Sequence, residues 1–167
     1  MSALREWLAI PRHLENAIRG VGQRDLDRAG ASEGLSIREN VHHIVESNLV
    51  ASNMIVAALA TNGGYFDWTW IWPNKSWMAR LGYDKADVKP AIAMLHAIGD
   101  HLETLLARRP EALTRSVQLA DSADGPRYTI TIEKILAREV EHAAEHLEQI
   151  RAIRKSSGKG ARPRARS

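Results

Sequence analysis

Apolar side chains recur along this chain at helical intervals in four long blocks, separated by glycine, proline or tryptophan-rich stretches. The first block carries Leu4, Trp7, Leu8, Leu14, Ile18 and Val21, with Ser2 placed to cap it. Pro11 falls inside that pattern and is expected to kink the helix or divide it in two, and Gly20 and Gly22 end it. Gln23 to Leu35 is a connector. Ser36-Ile37-Arg38-Glu39 then spells a capping box. The helix it opens should run to about Ala60, stopped by Thr61-Asn62-Gly63-Gly64. Pro90 starts a third helix, with Ile92, Leu95, Ile98, Leu102, Leu105 and Leu106 on one face, which ends before Pro110. Thr131 can cap the last helix, with Glu133 in its first turn and Ile132, Leu136, Val140, Ala143, Leu147 and Ile150 as its apolar stripe.

Four such helices predict an all-α protein, a four-helix bundle. The long crossover from Tyr65 to Val88 holds Trp68, Trp70, Trp72 and Trp77. A loop of this length serves as a lid or binding element, or its indoles cover one end of the core. Before the last helix, Ser116-Val117-Gln118-Leu119 and Tyr128-Thr129-Ile130 flank Asp124-Gly125 and predict a short β-hairpin. The boundaries expected are a single domain over 1–155 and a basic, disordered tail over 156–167.

Charge sharpens that division. The net charge is +3, yet Arg154, Lys155, Lys159, Arg162, Arg164 and Arg166 close the chain with no acid among them, and without them the body is slightly acidic. Such a body is a poor partner for nucleic acid, and a tail rich in Gly, Ser and Pro is a solvated end. With no cysteine, disulfides, thiolate metal sites and cysteine nucleophiles are excluded. The N-terminus lacks the build of a signal peptide and no apolar run reaches ~20 residues, so a cytoplasmic protein without a membrane span is expected.

The candidate chemistry lies on the last helix. His142 and His146 stand one turn apart on one side, at the margin of the apolar stripe, the spacing that lets two rings reach one ion. On the second helix, angular placement sets His42 on a polar edge with Glu39, Glu46 and Asn53. It turns His43 inward, between Val50 and Met54. His96 and His101 sit off the centre of the third helix's apolar face and are expected to be surface or boundary residues rather than ligands. Three neutral imidazoles with an open position make a catalytic metal centre, and such ligands suit zinc, nickel, copper or iron. Glu139, Gln149 and Glu46 are candidates to hold ring tautomers or meet substrate, with Glu46 expected to be an ordinary exposed residue. Two other readings compete. Glu39-x-x-His42 and Glu139-x-x-His142, with Glu15 and Glu103, supply the inventory of a di-iron carboxylate bundle. Alternatively the chain is a non-catalytic metal-binding or stress-response module.

The run Ser36-Ile37-Arg38-Glu39-Asn40-Val41-His42-His43-Ile44, followed after a crossover by His142-x-x-x-His146-x-x-Gln149-Ile150, resembles the DinB/YfiT-like superfamily of metal-dependent enzymes. The Gly20-Val21-Gly22 and Asp25-Leu26-Asp27 segment and the Tyr128-Thr129 approach to Thr131 are similar too. The resemblance covers all but the basic tail. It departs at Leu35, where many relatives carry tryptophan. It implies an up-down-down-up bundle, often a homodimer, with a divalent ion, zinc or nickel, on His43, His142 and His146. It also implies a small-molecule substrate. Relatives of known activity include S-transferases that use a low-molecular-weight thiol (bacillithiol or mycothiol) and a mycothiol-dependent maleylpyruvate isomerase. The function expected is therefore activation of a thiol or water for attack on a small electrophile, as a transferase or a hydrolase.

Overall fold

A computed structural model of the chain describes residues 2–30, 34–71 and 74–158. The first apolar block is two helices, α1 (Ala3–Leu8) and α2 (Ile10–Ile18), divided at Ala9. Pro11 lies in the first turn of α2, where its missing N–H leaves no bond unmade, while its ring prevents one continuous helix. Ser2 occupies the cap position of α1, but its side chain makes no capping hydrogen bond, contrary to expectation. Gly20, at φ +75°, turns the chain away. A short helix, α3 (Gln23–Leu26), and a bridge between Ala29 and Ser36 order the connector.

α4 spans Ile37–Ala60. The capping box is reciprocal: Ser36 Oγ accepts the Glu39 N–H at 3.2 Å, and Glu39 Oε2 accepts the Ser36 N–H at 2.7 Å. After α5 (Asn74–Leu81), α6 (Val88–Leu106) begins ahead of Pro90, because Asp87 caps it by accepting the Lys89 N–H at 3.1 Å. α7 (Ile132–Gly158) starts on Thr131, whose Oγ1 accepts the Lys134 N–H at 3.3 Å. It continues beyond residue 155, and Arg154 donates to the Ala17 and Arg19 carbonyls at the end of α2, so the basic segment opens as part of the bundle. Residues 159–167 of the tail, like Trp72, lie outside the described residues.

Cross-helix contacts give the topology. Asn40 meets His146 while Ser47 meets Glu139, so α4 and α7 run antiparallel. Glu15 pairs with His96 while Leu8 lies against Gly99, so the α1–α2 rod opposes α6. Arg38 and His42 near the start of α4 reach Ala86 ahead of α6, and Arg115 beyond α6 reaches the Ala58 carbonyl, so α4 and α6 are parallel. The order is up-down-down-up. Leu14, Ile44, Ile55, Leu102, Leu136 and Ile150 are fully buried between the four rods.

β2 (Ser116–Leu119) and β3 (Tyr128–Thr131) form the expected antiparallel hairpin, with Ser116 opposite Thr131 and Leu119 opposite Tyr128. β1 (Gly64–Tyr65) joins β2 in parallel, a strand too short to leave a periodic pattern. The crossover is more ordered than a loop, holding a 3-10 turn at Thr69–Ile71 as well as α5. Trp77 is buried, and Trp68 is half-buried with its Nε1–H on the Ala120 carbonyl at 2.9 Å. Trp70 is 56% exposed.

By length and composition α4 could cross a membrane, with 24 residues and an 18-residue window of mean hydropathy 1.3. Its apolar side chains instead form the bundle core, and it carries buried polar groups at Asn40, His42, His43 and Asn48. Replacing Ser36 by alanine removes one arm of the capping box and should lower stability by about 1 kcal/mol. Urea unfolding checks this, and an unchanged midpoint would show that the cap carries no weight.

Candidate metal centre

The antiparallel seam of α4 and α7 brings His43 level with the His142–His146 turn. His43 Nε2 lies 3.1 Å from His142 Nε2, which lies 3.1 Å from His146 Nε2. The three donor nitrogens all fall within 4.8 Å of one another. The rings meet edge to face, with centroids 4.5–4.9 Å apart and planes at 70–76°. Edge-to-face packing lets all three Nε2 atoms point to one spot. Two ligands about 2.0–2.1 Å from a tetrahedral ion sit about 3.3–3.4 Å apart. The observed spacing therefore needs only a small spread to admit a cation.

Electrostatics favours the same occupant. Burial, then the neighbouring His146 and His142, pushes His43 down to about 3. Burial and His142 push His146 down to about 4. Burial also lowers His142, against an opposing pull from Glu145. The rings are thus neutral near pH 7, as ligands must be. Without a cation their lone pairs crowd one another, because a single N–H on His142 can face only one neighbour. The donor set fits one divalent ion.

A cavity of about 210 Å³ adjoins the cluster, with His43, His142, Ser47 and Glu139 among its lining. Glu46 and Arg138 also line it, and the remaining walls are aliphatic and aromatic, among them Val50, Met54, Trp68, Ile71, Trp77 and Ile135. The tryptophan-rich crossover thus supplies pocket wall. Glu139 Oε2 accepts the Ser47 hydroxyl at 2.7 Å and the Asn48 amide at 3.5 Å. Burial pushes its carboxyl up to about 7, with the Ser47 bond opposing.

The other candidates fall elsewhere. His42 is not on an open polar edge, because the segment around Tyr83 and Ala86 covers that side of α4. Its ring stacks on Tyr83 at 4.8 Å and its Nε2 faces the Ala86 carbonyl at 3.3 Å. Glu46 is half-buried on the pocket wall rather than exposed. Burial and this glutamate hold the Tyr83 phenol above its usual range. Gln149 is exposed. The di-iron inventory is dispersed: Glu39 is engaged in the helix cap, Glu15 pairs with His96 at the surface, Glu103 is exposed, and His42 is apart from the cluster. His101 is exposed as expected.

Sequence reasoning missed Asn40, which is wholly buried. Its Nδ2 bonds the Ser36 carbonyl at 2.8 Å and the Leu35 carbonyl at 3.1 Å, and its Oδ1 lies 2.7 Å from His146 Nδ1. The one available signal was an asparagine a single turn before an inward histidine, on an otherwise apolar face.

Comparison with known proteins agrees with this architecture. The family model of the DinB superfamily matches residues 6–150. Among solved structures, YfiT from Bacillus subtilis superposes with a TM-score of 0.81 at 20% identity, over 93% of this chain and 86% of that one. It is described as a probable metal-dependent hydrolase with an unusual four-helix bundle topology. At that identity the likeness is one of fold. Comparison with curated proteins found no match.

The lowered imidazoles set a pH dependence for the metal-free chain. When unfolded, His43 and His146 take up protons near pH 6.5; when folded they resist until about 3 and 4. The unfolded state therefore binds more protons in that window, and stability falls as pH drops below 6.5. Glu139 acts in the opposite sense, since the fold keeps its proton between about 4.5 and 7. In chelator-treated protein, Tm should fall from pH 6.5 to 4.5, and less steeply in the His43→Ala/His146→Ala double variant. Equal slopes would contradict this account.

Proposed function

The chain belongs to the DinB superfamily, and on that footing we propose that it is a metal-dependent hydrolase for small, largely apolar electrophiles. His43, His142 and His146 hold one divalent cation, zinc or nickel. The observation that carries this reading is the convergence of three neutral imidazole Nε2 atoms at the side of a cavity. Bound there, a divalent ion supplies Lewis acidity, enough to bring water or a thiol to its anionic form near neutral pH.

The chain's own residues supply the rest. The aliphatic and aromatic walls bind the substrate's body and exclude bulk water. Glu139, with a carboxyl near 7, can take a proton from the nucleophile and return it to the leaving group. Its Oε2 is occupied by the Ser47 hydroxyl, leaving Oε1 as the exchanging atom. Transfer of a low-molecular-weight thiol would use the same site. A small-molecule partner and assembly as a homodimer belong to the same proposal.

Elemental analysis of untagged protein should find close to one zinc or nickel per chain, lost in each of His43→Ala, His142→Ala and His146→Ala. Metal content unchanged in His146→Ala would overturn the assignment. With a panel of aryl esters, hydrolysis should vanish on chelation and return with either ion, and added thiol should not be required. Glu139→Gln should retain metal and lose about 10²-fold or more in kcat. An unaltered rate would remove Glu139 from proton transfer.

A further inference from the structure

Asn40 is wholly buried one turn into α4, with all of its amide hydrogen-bonding atoms engaged. We infer that Asn40 is a positioning residue that fixes the tautomer of His146, so that this imidazole presents a bare Nε2 to the centre of the histidine cluster. The inference rests on the three-histidine site proposed above, but its first readout needs no metal.

The amide's orientation follows from its neighbours. Its Nδ2 lies 2.8 Å from the Ser36 carbonyl oxygen and 3.1 Å from that of Leu35. Both oxygens only accept, so the group facing them is the NH2; a flipped amide would set oxygen against two oxygens. The remaining atom, Oδ1, is an acceptor 2.7 Å from His146 Nδ1. That nitrogen must carry the hydrogen. A neutral imidazole has one N–H, so Nε2 is left as a lone pair, directed at His142 Nε2 3.1 Å away.

The constraint matters because free neutral histidine favours the other tautomer, with its proton on Nε2, which blocks coordination through that atom. His146 is also the ring of the three that is held from behind. The Nδ1 atoms of His43 and His142 are buried with no hydrogen-bond partner among the described residues. Asn40 is in turn anchored on the carbonyls at the capping turn of α4, so the helix start and the ligand are set by one side chain. Outer partners of this kind govern both ligand orientation and basicity.

Three variants separate this role from simple packing. Asn40→Leu fills the space and removes the acceptor. Asn40→Ala removes the acceptor and leaves a gap. Asn40→Asp keeps an acceptor toward His146 but sets a carboxylate against two carbonyls, so it should lower stability and keep the tautomer. Imidazole ¹⁵N NMR of the metal-free wild type should show His146 protonated at Nδ1 and bare at Nε2. This pattern should persist in Asn40→Asp and be lost in Asn40→Leu.

Zn²⁺ titration against a chromogenic chelator should show affinity about 10–100-fold weaker in Asn40→Leu and Asn40→Ala. In Asn40→Asp affinity should stay close to that of wild type despite a lower Tm. A wild-type His146 protonated at Nε2, or Zn²⁺ affinity that follows Tm across all three variants, overturns the inference. Should Asn40→Ala fail to fold, the leucine and aspartate variants still decide. If the wild type shows the Nδ1–H tautomer but binds no Zn²⁺, the metal assignment fails while the role of Asn40 in the tautomer stands.

Discussion

Three imidazole nitrogens are brought together in the seam between α4 and α7, and the fold has to bear the cost of that crowding. A single N–H on His142 can face only one of its two neighbours at 3.1 Å, in a site dry enough to hold two of the rings neutral well below their usual range. Only the packing around them holds them there. Ile44 on α4 and Leu136 on α7 are fully buried in the core that packs the helices together. The Asn40 and Ser47 contacts across it fix the register. A slip of one turn along either helix would separate His43 from its partners.

The remaining elements serve that seam. Parallel α4 and α6 require a connection that travels the length of the bundle. The chain uses this segment to roof the site, placing Trp77 near His43 with ring centroids 6.4 Å apart and Trp68 on the cavity wall. The three-stranded sheet contributes Leu119 and Ile130 to the cavity wall. The result is a histidine cluster that opens on a cavity walled largely by apolar side chains. If the proposed hydrolysis runs there, charge developing on the substrate would be stabilised more strongly than in water.

Much of this is legible in the chain itself, and the reasons are local. The capping box at Ser36, the division at Pro11, and the i, i+4 spacing of His142 and His146 are written in a few adjacent residues and survive folding unchanged. The angle of His43 on its helix was enough to turn it inward. What escaped is set by distant parts of the chain. His42 has the helical angle of a polar edge, yet Tyr83 and Ala86 close over it from the crossover. Glu46 changes from exposed to pocket-lining for the same reason. Asn40 is a helix-interior residue by position, and its use is visible only once His146 arrives from far along the sequence. The family resemblance on the same motifs supplied the helix order, which periodicity alone does not carry.

X-ray absorption at the metal edge of untagged protein tests the central claim most directly. Three imidazole nitrogens at about 2.0–2.1 Å, completed by one or two light-atom ligands, is the shell that His43, His142 and His146 should give with zinc. A shell dominated by oxygen, or one that keeps its imidazole signal when His43 and His146 are both replaced, would place the ion elsewhere and leave the seam without its occupant.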